Sequence, residues 1–141
     1  MYVVDEILDS AKDEILKGGQ ITPTFFVISD SEVLVVDDED FCGDETFTEL
    51  KELIKRNKAD LVLYITETCF KREKESIIIT DYLQKGGKIG LMLTAITPIT
   101  EYTRIFPFER SKGKAQFESS EIEISEEVMG YGDVIFEHTT H

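Results

Sequence analysis

Val4, Ile7, Leu8, Ala11 and Ile15 recur at three- and four-residue steps, with Asp5, Glu6, Asp9, Lys12, Asp13 and Glu14 between them. At 3.6 residues per turn the apolar set falls on one face, so the spacing predicts an amphipathic helix. Acidic residues early, Lys17 late and Gly18-Gly19 beyond agree with the helix dipole and a glycine stop. The pattern then changes. Phe25, Phe26, Val27 and Ile28, the polar residues 29–32, and Val33, Leu34, Val35 and Val36 read as two strands about a four-residue turn.

After the acidic run 37–40, Thr46 and Glu49 have the T-x-x-E spacing of a capping box, which predicts a second helix starting there. Its apolar stripe is Phe47, Leu50, Leu53 and Ile54, with Asn57 as its end. Residues 61–65 are apolar on both alternating faces, as in a strand with neighbours on either side, and are expected at the sheet centre. Past the charged stretch 71–75, residues 77–83 and 89–96 flank Lys85-Gly86-Gly87-Lys88 and predict a second hairpin. Tyr102, Ile105, Phe106 and Phe108 are strand-like, and Pro107 among them cannot donate to a ladder and is expected at an edge or bulge. Residues 111–114 suggest a turn, and residues 121–124 alternate like a strand with one wet face. Gly130 and Gly132 precede a last short apolar run, 134–136.

The expected fold is therefore α+β, with two helices packed on a mostly antiparallel sheet in the order αββαβββ, followed by extra C-terminal strands. That order of elements resembles the layered arrangement of profilin-like and roadblock-type domains. A length of 141 residues with no linker or repeat suits one domain over residues 1–141.

Charge narrows the partners. Fifteen Lys and Arg stand against 29 Asp and Glu, a net charge of −14. Nucleic-acid affinity comes largely from Lys and Arg displacing counterions, so direct binding to DNA or RNA is not expected. A protein partner or self-association is expected instead. No apolar stretch approaches the roughly 20 residues a bilayer requires, so no membrane association is expected. The acidic N-terminus lacks the basic region of a secretory signal. Cys42 and Cys69, 27 residues apart without C-x-x-C spacing, read as reduced thiols in a cytoplasmic setting.

The chemistry-bearing candidates are few. Asp37, Asp38 and Asp40 could supply oxygen ligands to a hard cation, but the spacing is not that of a calcium loop, and such runs are usually hydrated. Cys69 and Glu67 follow the central strand, where open sheets place ligand groups, and a thiol there is a nucleophile only if a cation or base lowers its pKa. Arg104 and His138 are the assisting groups such a site would recruit. The plainer alternative is that Cys69 packs as a small apolar side chain and Arg104 points to water. Asp81 is a similar lone charge. His138 and His141 lack the rigid helix and intervening Glu of a zinc motif, and no phosphate-binding glycine motif occurs, so no cofactor is expected. Tyr102, Phe106, Phe108 and Tyr131 could form a partner surface or fill the core. The favoured reading is a non-enzymatic protein-binding or regulatory module, acting as a homodimer or with another protein. The alternatives are a small enzyme centred on Cys69 and Glu67, or an acidic decoy of a nucleic-acid-binding protein.

Overall fold

The computed structural model describes residues 2–30, 32–40, 42–74, 76–80, 82–125, 127 and 129–136. Helix α1 (Tyr2–Leu16) leads into the hairpin β1 (Thr24–Ile28) and β2 (Val33–Asp37), then helix α2 (Asp44–Asn57) and the long strand β3 (Leu61–Glu73). Strands β4 (Ser76–Thr80), β5 (Lys88–Ile96), β6 (Glu101–Ser111), β7 (Lys114–Phe117) and β8 (Ile122–Ile124) precede the short helix α3 (Gly132–Ile135). All eight strands join one antiparallel sheet whose main path is β2-β1-β3-β5-β6-β7, with β4 on β3 and β8 on β6.

Successive side chains on a strand point to opposite faces, and the two buried clusters follow that alternation. Val62, Tyr64 and Phe70 of β3 cluster with Leu50 and Ile54 of α2 and Ile135 of α3. Leu63 and Ile65 cluster with Leu8 and Ile15 of α1. The helices therefore cover both faces of the sheet, which refines the expectation of two helices packed on it.

The first helix, the first hairpin and the central placement of residues 61–65 appear as the pattern predicts. Gly18 takes φ +90°, a left-handed conformation that costs glycine little, and its N–H donates to Ile15 O to close α1. The cap of α2 differs from the T-x-x-E expectation. The helix begins at Asp44 behind an N-cap Gly43 that makes no side-chain bond, and Asp40 does the capping from upstream.

The second hairpin is also rearranged. Strand β3 continues through the charged stretch to Glu73 and reverses at once, pairing Glu73 with Ser76 across a turn in which Lys74 takes φ +53°. β4 thus pairs with β3, and β5 pairs with β3 and β6 instead of β4. Thirteen residues give β3 room for β1 along residues 61–65 and β4 along 69–73, all on one flank.

Pro107 lies inside β6, not at the sheet margin. On its outer side β6 pairs with β8 along residues 103–105 and with β7 along 108–111. Pro107 falls where one outer partner has ended and the other has not begun, so its missing N–H breaks no ladder. The last short apolar run, 134–136, contributes to α3, whose Val134 and Ile135 N–H groups both donate to Tyr131 O.

Candidate functional site

Of the four residues that could have formed an active site, three are described, and Arg104 is engaged apart from Glu67 and Cys69. Glu67 and Cys69 share the α1 face of β3, two residues apart, where Cys69 is half-buried between Thr80 of β4 and Ile89 of β5. Glu67 is fully engaged. Arg110 of β6 donates to both of its oxygens, at 2.7 and 2.9 Å, and Ile21 N–H donates to Oε2 at 2.7 Å. Arg110 also donates to Gly19 O at 2.9 Å and stacks 5.0 Å over the Phe108 ring, so one guanidinium ties the end of α1 to the sheet. Arg104 is committed elsewhere. It forms a bidentate pair with Glu121 at 2.7 and 3.0 Å and lies 5.0 Å over Phe106. His138, His141 and Asp81 lie outside the described residues.

Burial pushes the Glu67 carboxyl up, but the Arg110 hydrogen bonds, the Ile21 N–H and the guanidinium charge together outweigh it and hold the group below the ordinary carboxylate range. A depressed carboxyl stabilises the fold above its unfolded pKa of about 4.3, and that stabilisation is lost as pH falls through the lower folded value. Arg110→Ala should cost about 2 kcal/mol at neutral pH, because Glu67 and Gly19 O lose a charged donor in a partly buried setting. It should also remove this share of the acid sensitivity, which urea titrations from neutral pH down to about pH 3 can measure. An acid limb identical to that of the parent would show that the pair contributes nothing.

The three aspartates of the acidic run have separate fates. Asp37 is exposed at the end of β2. Asp40 accepts from Gly43 N–H at 3.1 Å, Glu45 N–H at 3.2 Å, Thr46 N–H at 3.4 Å and the Thr46 hydroxyl. These bonds satisfy amides at the start of α2, and the Thr46 hydroxyl foremost holds the Asp40 carboxyl below its ordinary value. Asp38 is turned into the core, with 4% of its surface exposed. Among the described residues no three His, Cys, Asp or Glu side chains are placed to hold a metal ion.

Asp38 is the centre of a site the residue pattern did not single out. Its Oδ1 accepts from Cys42 N–H at 2.6 Å, and its Oδ2 accepts from the Tyr64 hydroxyl at 2.9 Å and the Cys42 thiol at 3.3 Å. Tyr131, stacked edge-on against Phe47 at 4.9 Å, brings its hydroxyl to the same thiol. Burial, then the hydrogen bond and charge of Asp38, pushes the Cys42 thiol up to about 12, and burial likewise raises the Tyr64 and Tyr131 phenols. A thiol held protonated is a hydrogen-bond donor and a poor nucleophile. The cluster joins β2, β3, the loop before α2 and the start of α3 through polar atoms.

On the opposite face, α1 and β1 enclose an open groove of about 470 Å³. Phe26 and Ile65 line it together with Ile7 and Ala11, while Glu6, Ser10 and Glu14 follow one another along α1 at four-residue steps. Phe26 pairs across the ladder with Val35, and Ile28 with Val33, so both β2 valines share this face. α1 does not cover them. Val35 is 58% exposed and Val33 38%.

No helix among the described residues is long and apolar enough to cross a membrane. Comparison with protein-family models, with curated proteins and with solved structures finds no match to this chain.

Proposed function

We propose that this chain is a non-enzymatic protein-binding module whose working surface is the strip of sheet over β1 and β2 that α1 leaves bare. The observation that carries this reading is the continuity of apolar surface from the groove residue Phe26 to the exposed Val35 and Val33 on an edge strand. Large apolar side chains grouped on a sheet face beside a groove mark an interaction surface more often than isolated ones do. The polar candidates support the same reading. Glu67, Arg104, Asp38 and Asp40 are each bound within a hydrogen-bonded set that holds the fold together.

A photo-crosslinking residue placed at Val35, compared with one at the exposed Glu52 of α2, tests the assignment in an extract of the cells that make this protein. Position 35 should give a discrete adduct with another protein and position 52 should not. Adducts from neither position, or from both alike, would overturn it.

A further inference from the structure

We infer that the occupant of this strip is a basic amphipathic helix supplied by another protein. The inference rests on the proposed reading of the strip as the binding surface and adds the chemistry and shape of the partner.

Charge selects the sign. Glu6 and Glu14 stand along the groove wall, Asp37 ends β2 and Glu32 immediately precedes it, and no described Lys or Arg lines the groove. Lys12, the basic residue in the middle of α1, is turned the other way, 4.0 Å above the Phe106 ring. An apolar floor between acidic margins is complementary to a helix with one oily stripe and Lys or Arg on either side of it. A second copy of this chain is disfavoured by the same charges. A two-fold contact would bring Glu6, Glu14, Glu32 and Asp37 of both copies together, in a chain of net charge −14.

Shape selects a helix over a strand. Two neighbouring strands, about 4.8 Å apart, expose a strip about as wide as a helix of roughly 10 Å diameter. A helix laid beside α1 would fill the groove and cover Val33 and Val35 together, completing the layer that α1 begins. An added strand would pair with the β2 edge and leave the groove between α1 and β1 open.

The probe is a labelled Leu/Lys amphipathic helical peptide of about 14 residues, or four turns. Its comparators are the same peptide with Glu for Lys and an alternating Val/Lys strand peptide. The Leu/Lys helix should bind, the Leu/Glu helix should not, and the strand peptide should bind at least about tenfold more weakly. Glu6→Gln with Glu14→Gln should weaken binding several-fold and flatten its salt dependence.

The decisive variant is Val35→Asp, at an exposed position where the fold tolerates the change, as a melting curve would verify. It makes the protein more negative, so a peptide held by bulk charge would bind as well or better. A peptide seated in the groove should instead lose about tenfold or more, because a carboxylate would be buried against its oily stripe. Unweakened binding to Val35→Asp, equal binding of the Leu/Glu helix, tighter binding of the strand peptide, or a concentration-dependent dimer blocked by Val35→Asp would each overturn the inference. If position 35 crosslinks a partner while the Leu/Lys helix fails to bind, the strip remains a binding surface and only the basic helix is lost.

Discussion

Asp38→Ala is expected to destabilise the protein by about 3 kcal/mol, because a buried acceptor serving three donors disappears while the donors stay. An unsatisfied buried polar group costs about 1–3 kcal/mol, and the Tyr64 hydroxyl, inside the sheet with Phe25 4.4 Å from its ring, has little access to replacement water. The Cys42 amide loses its partner too, at a residue held at φ +64°, where a β-carbon is disfavoured unless the surroundings enforce it. Asp38→Asn keeps a carbonyl acceptor and should cost clearly less. It also removes the carboxylate charge that helps raise the Cys42 thiol, so alkylation of Cys42 at alkaline pH should quicken in that variant. Urea unfolding and iodoacetamide labelling measure the two effects. If Asp38→Ala unfolds within about 0.5 kcal/mol of the parent, the ordinary scatter of surface substitutions, the buried network is not a structural centre.

That network was partly legible. β2 alternates, with Val36 inward and Asp37 outward, and one further step places Asp38 on the inward face with Leu34 and Val36. Read as part of a four-residue acidic run, Asp38 looks uniformly hydrated, and the alternation is the signal that separates it from its neighbours. Tyr64 carries the complementary sign: it is the one hydroxyl in the otherwise apolar run 61–65, and a buried phenol needs a partner. The identity of that partner, 26 residues away, depends on the β1–β2–β3 register and is not a local property.

Helices α1 and α2 were readable because their apolar residues repeat at helical spacing over several turns, and β1 with β2 because their turn is local. The second reversal was not, because Gly86-Gly87 is the stronger turn signal to the eye, whereas the tight turn sits in a charged segment with Lys74 in the left-handed region. The partners of a long strand are chosen by the whole sheet, so which neighbour β4 takes is a tertiary outcome. Pro107 obeyed the local rule that it must avoid a ladder donor position, but the interruption lies between β7 and β8, which the sequence around residue 107 does not describe. The bare strip over β1 and β2 depends on where α1 settles, and its periodicity fixes only which of its own faces is buried.

Gly90→Ala should destabilise by about 2 kcal/mol and Gly90→Val by more, through steric crowding inside β5. Gly90 pairs with Thr68 on one side and Pro107 on the other. A β-carbon built on it would lie 2.6 Å from Ile105 Cγ2, 3.1 Å from a carbon of the Phe70 ring and 3.4 Å from Phe106 O. Ile105 cannot yield cheaply, since Cγ2 is attached directly to its β-carbon and the side chain is fully buried. The Phe70 ring occupies the space that a side chain at residue 90 would otherwise fill, which is why a strand interior tolerates glycine here. Crowding and cavity formation should then compensate. Ile105→Ala alone leaves a void costing about 2–5 kcal/mol, but Gly90→Ala placed on top of it meets no Cγ2 and refills part of the void. The double variant should be more stable than the sum of the single losses by at least about 1 kcal/mol, within the range found for residues in direct contact. Strict additivity in urea titrations of the four proteins would show that residues 90 and 105 do not share one packed space.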